Sequence, residues 1–105
     1  MVDIPDSVFV ALEYDDQIPK LDLHGTKPEE VETAIFNFLT RLHNLGMHNA
    51  QVIFGRGGAG VLKQKTIEFL NENLDNPDAN MRLVKAWKEA RFEGAGGRCL
   101  VVLIE

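Results

Sequence analysis

Two short strand-like runs with a helical stripe between them constrain this chain more than any other feature. Leu21-Asp22-Leu23-His24-Gly25 precedes the stripe and Gln51-Val52-Ile53-Phe54 follows it. Between them Val31, Ala34, Ile35, Phe38, Leu39, Leu42 and Leu45 recur at the three- and four-residue spacing of one helix face. Strand, helix, strand in that order reads as a right-handed crossover joining two parallel strands. Thr26 and Glu29 stand at capping-box spacing, Pro28 suits a first turn, and Gly46 is a natural helix stop.

The rest of the chain extends this unit. The first core strand is expected over 18–24. After the loop Gly55-Arg56-Gly57-Gly58-Ala59-Gly60, a second helix should present Leu62, Thr66, Phe69, Leu70 and Leu74 on one face and end before Pro77. Residues 81–87 alternate as a strand, although Val84, Trp87 and Arg91 would also suit a helix. A glycine-rich turn at 94–97 then leads into the apolar run Leu100-Val101-Val102-Leu103-Ile104, a strand covered on both faces. The order β-α-β-α-β-β predicts a small two-layer α/β sandwich. At 105 residues one domain is expected, with an acidic arm at 1–17 and the body at 18–105. Val8-Phe9-Val10-Ala11-Leu12 would pack there as an irregular arm or an added strand.

In such a sheet the Asp22–Gly25 stretch and the glycine loop both leave the C-terminal ends of parallel strands, the edge where open α/β sheets bind ligands. An acid and a histidine two residues apart on a strand share one face, and a carboxylate beside an imidazole sets its tautomer and basicity. His24 is thus a candidate general acid/base on a phosphodiester, with Asp22 orienting it. A Mg²⁺ held by Asp22 is the alternative; otherwise no cofactor or metal is expected. The competing structural reading has Asp22 accepting backbone hydrogen bonds while His24 shapes the helix start. In the loop, Gly55, Arg56, Gly57 and Gly58 suit phosphate, with Arg56 as the charged contact and Lys63 and Lys65 tracking a polymer backbone. Val61 and Leu62 stand where an ATP-type phosphate loop needs Lys and Ser or Thr. Trp87 is read as a half-buried core residue before a base-stacking one, and Cys99 as a packed thiol.

Charge tempers a nucleic-acid reading. The net charge is −5, but residues 1–49 hold nine acids and three bases whereas residues 50–98 hold six acids and eight bases. A basic patch from the second half is compatible with weak, salt-sensitive binding to a polyanion. One cysteine excludes an internal disulfide, and His43 and His48, five apart, miss the spacing of helical metal ligands. No apolar run spans a bilayer and no secretion pattern opens the chain, so the cytoplasm is the expected compartment and no membrane partner is expected.

With these motifs in order, the chain resembles the small MutS-related (Smr) domain family. Leu21-Asp22-Leu23-His24-Gly25, Gly55-Arg56-Gly57 and the turn at 94–97 correspond to its three motifs, and the resemblance covers about residues 18–104. It implies a fold like the C-terminal domain of translation initiation factor three. It also implies nucleic acid, DNA or RNA, as partner, and endonuclease activity connected with DNA repair or with RNA quality control at stalled ribosomes. The site carried over is Asp22, His24, Gly55, Arg56 and Gly57. Departures are Phe54 where His is common, a second loop one residue longer before Gly60, and Ala95 and Cys99 where Gly and Thr are frequent. Two other functions remain open beside an endonuclease: a non-catalytic nucleic-acid or ribosome-binding module, and a binder of small phosphates or nucleotides through the glycine loop. The oligomeric state stays open.

Overall fold

A computed structural model describes residues 6–13, 17–55, 60–78, 80–90 and 97–105. Its elements are α1 (Asp6–Glu13), β1 (Lys20–Asp22), a 3-10 turn (Pro28–Glu30), α2 (Val31–Asn44), β2 (Asn49–Ile53), α3 (Val61–Leu74), β3 (Val84–Glu89) and β4 (Arg98–Leu103). The sheet order is β1-β2-β4-β3. β1 and β2 are parallel, as the crossover requires, and β4 runs antiparallel between β2 and β3. The expected β-α-β-α-β-β sandwich is therefore the observed body.

The core lies between α2 and α3 and one face of the sheet. Val31, Ile35, Leu39 and Leu42 from α2 and Phe69 and Leu70 from α3 meet Ala50, Val52, Val84, Cys99, Val101 and Leu103. Each fully buried aliphatic side chain contributes about 1.5–3 kcal/mol of apolar transfer. Leu45, read as the end of the α2 stripe, falls past the last turn and is 68% exposed. Gly46 stops that helix as expected. At φ +75 its N–H donates to His43 O, and the next N–H, from Met47, reaches back to Leu42 O.

Four expectations need correction. Residues 6–13 form a helix instead of an irregular arm or a strand. Phe9 of that helix is buried with Ile18, Ala90 and Leu100 on the second face of the sheet, because the apolar residues of β4 on that side need a cover. The first strand stops at Asp22, since the backbone turns at His24 and Gly25. No capping box forms: the Thr26 N–H closes a turn onto Leu23 O, and Lys27, without a side-chain cap bond, precedes the 3-10 turn. The third strand runs Val84–Glu89, later than the expected 81–87, and carries an irregularity between Val84 and Ala86.

Asn73 explains that late start. Its Oδ1 accepts the Leu83 and Val84 N–H groups at 2.8 and 2.9 Å, and its Nδ2 donates to Met81 O at 3.0 Å. Helix α3 thus holds the approach to β3 by one buried amide, and the ladder begins beyond it.

Candidate nucleic-acid interface

Five residues set the position of His24. Leu23, 1% exposed, anchors the chain in the core while its N–H donates to Ile53 O of β2 at 2.8 Å. Leu23 O then accepts the Thr26 N–H, closing a four-residue turn with His24 and Gly25 at its centre. Gly25 has φ +80, the left-handed value required at the third position of a type II turn. Asp22 Oδ1 accepts the His24 backbone N–H at 2.9 Å. The result is an exposed imidazole on a turn braced from both sides. Asp22 supports the histidine through its backbone, and among the described residues no hydrogen bond joins the carboxylate to the imidazole.

The ends of β1 and β2 and the start of β4 lie side by side at this edge. Asp22 pairs with Ile53, and Ile53 pairs with Arg98. Just beyond, the Phe54 and Gly55 N–H groups both donate to Gly97 O, at 2.8 and 3.0 Å. His24 and Gly55 therefore leave adjacent strands at the same level. A Cβ built on Gly25, Gly55 or Gly60 would meet nothing within 4 Å, so the backbone here fronts open space. Phe54, where the resemblance leads one to look for histidine, is buried and contributes packing.

Helix α3 begins at this edge with Gly60 as a left-handed N-cap that supplies no side-chain oxygen. Backbone N–H groups of a first turn without such a cap favour an anion. Of the two lysines expected to track a polymer, Lys63 is partly committed: its Nζ lies 3.1 Å from Glu89 Oε2. Both side chains are nearly half exposed, so the pair contributes at most about 1 kcal/mol and can be opened by a ligand. Lys65 is exposed on the same first turns. Arg56, Gly57 and Gly58, and the turn residues 94–96, lie outside the described residues.

Two other readings are settled by packing. Trp87 is half-buried against the core, with Nε1 donating to Asn71 Oδ1 at 3.1 Å, so its ring belongs to the β3–α3 contact. Burial pushes the Cys99 thiol up to about 12, with Glu89 adding to the rise and Lys63 opposing it. It is a core group. The residue that the motifs passed over is Arg98, whose Nη1 donates to Gln51 Oε1 at 2.8 Å. Those two are 47 positions apart; the sequence marked Arg98 as part of the basic bias of the C-terminal third and gave no sign of its pairing with Gln51.

Among the described residues no helix is long and apolar enough to cross a membrane. The family model described as the Smr domain matches residues 21–105. The structure is similar to the Smr domain of Thermus thermophilus MutS2, with a TM-score of 0.69 at 24% identity over 84% of this chain and 100% of that one. It is also similar to YdaL, a stand-alone small MutS-related protein from Escherichia coli, with a TM-score of 0.71 at 22% identity over 100% of this chain and 80% of that one. At these identities the two likenesses establish the fold. No curated protein matches the chain in sequence.

Proposed function

Because the chain belongs to the Smr domain family, known generally for binding nucleic acid, we propose that it binds structured RNA or DNA along the edge built by His24, Gly55 and the start of α3, and cleaves a phosphodiester there. The observation that carries the reading is the meeting of an exposed imidazole with glycine backbone and an uncapped helix start at one level of the sheet. Phosphate oxygens would be held by backbone N–H groups and by Lys65, with Arg56, Gly57, Gly58 and Lys63 as the remaining proposed contacts. His24 takes the proton of the attacking hydroxyl as that oxygen bonds to phosphorus; the bond from phosphorus to the leaving oxygen breaks, and the leaving oxygen takes its proton from water. Asp22 serves by holding the turn.

A second reading, binding without cleavage, draws support from the commitment of Asp22 Oδ1 to the backbone, which leaves His24 without a carboxylate orienter among the described residues. Labelled hairpin RNA and branched DNA, incubated with wild type and His24→Ala with and without a chelator, separate the two. Cleavage by wild type and binding without cleavage by His24→Ala is the expected result. Equal cleavage by both proteins would overturn the role of His24, and wild-type binding without cleavage would select the second reading.

A further inference from the structure

We infer that Arg98 is a second anion seat, on the sheet face that carries Asp22, and that it takes a backbone phosphate of the bound strand; this rests on the nucleic-acid reading above. Arg98 opens β4 opposite Ile53, and Ile53 lies opposite Asp22. Residues directly opposite in register share a face, and strands lie about 4.8 Å apart, so Asp22 and Arg98 emerge on one face roughly 10 Å from each other. That face is the one turned away from α2 and α3, since the alternate residues Val52 and Cys99 are fully buried in the main core. The seat therefore extends the edge around the sheet, past the tip where His24 stands.

The guanidinium is aimed but not satisfied. Gln51, 1% exposed in a central strand, accepts at its Oε1 a hydrogen bond from Arg98 Nη1 at 2.8 Å. A polar group buried that deeply is retained only when hydrogen-bonded, and here it holds a cation in place. Arg98 Nε is buried with no hydrogen-bond partner. The ion pair found among the described residues is Lys63 with Glu89, and none of their carboxylates stands within ion-pair distance of Arg98. A partly buried charge with neither counter-ion nor full hydrogen bonding is unfavourable. Its planar fork of donors matches a phosphate, and the residue remains partly exposed so that one can reach it. An anion brought to this face supplies the charge and the acceptors that the described residues do not.

The test compares wild type, Arg98→Gln and Arg98→Lys by fluorescence anisotropy on a labelled RNA hairpin and its DNA counterpart, from about 50 to 200 mM salt, with inorganic phosphate as a separate probe. Arg98→Gln is expected to weaken polymer binding about tenfold and to flatten the slope of log affinity against log salt by about 1. Arg98→Lys should keep the slope and lose part of the affinity. A folded Arg98→Gln protein with an unchanged slope overturns the inference, as does an effect confined to inorganic phosphate. Should Arg98→Gln fail to fold, the Nε–H resonance of Arg98 in the wild-type protein decides the matter: it shifts on adding the hairpin, or the inference is wrong. Absence of any wild-type binding would instead remove the nucleic-acid reading itself.

Discussion

Asp22 accepts the backbone N–H of His24, two residues along, at 2.9 Å. The carboxylate therefore shapes the turn that presents the imidazole and does not fix the ring itself. This relationship separates a positioning acid from a catalytic one. Asp22→Asn keeps an oxygen acceptor and is expected to retain fold, binding and any cleavage within a fewfold. Asp22→Ala loses the acceptor and should cost about 0.5–1.5 kcal/mol in denaturant unfolding. A loss of a hundredfold or more in cleavage by Asp22→Asn, with binding intact, would return Asp22 to direct chemistry.

Gly25 and Gly46 offer a paired control. Both have positive φ, +80 and +75, and a methyl group added at either would meet no atom within 4 Å, so alanine is penalised by backbone conformation alone. Each substitution should destabilise by about 1–2 kcal/mol. Only Gly25→Ala, in the turn of His24, should also weaken oligonucleotide binding. Equal binding losses in the two variants would point to general destabilisation.

Cys99 gives a pH signature. Its thiol stays protonated in the folded state up to about 12, whereas the unfolded thiol ionises near 9.0. The stability it contributes is complete below pH 9.0 and is lost as pH rises toward 12. Relative to Cys99→Ala, the wild type should lose up to about 1.4 kcal/mol per pH unit across that window, measured by urea unfolding. At about pH 8 the thiol should resist a disulfide reagent in the native protein and react fully in denaturant.

Asn73 is expected to be the costliest polar residue to remove. Asn73→Ala strands the Leu83 and Val84 N–H groups and the Met81 carbonyl, a loss of about 2–4 kcal/mol. Asn73→Asp restores the acceptor and not the donor, and should fall between wild type and alanine in thermal unfolding. Equal stability of the alanine variant and the wild type would show that water replaces the amide.

How much of this is legible in the sequence depends on the range of each interaction. The α2 stripe, its Gly46 stop and the α3 face are readable because helical periodicity and a left-handed glycine are local properties. The three-dimensional neighbourhood of His24 is readable in outline, since parallel strands joined by a helix bring their C-terminal ends to one edge. The detail at Asp22 is not: the spacing allows a bond to the ring or to the backbone, and the turn at Gly25 decides for the backbone. The capping box fails for a similar reason, with the Thr26 N–H drawn back onto Leu23 O before a helix can begin.

Hydrophobic periodicity and glycine placement were thus sufficient for the elements of the β-α-β-α-β-β body, their order and the family motifs, because these depend on neighbours within a few residues, but not for α1. Where each strand ends, what covers the second sheet face, and which polar groups meet across it required the folded chain. Phe9 against Leu100, Asn73 against Leu83 and Val84, and Gln51 against Arg98 join residues far apart in sequence. Such contacts follow from register and packing, whose free energy exists only once the whole sheet is assembled.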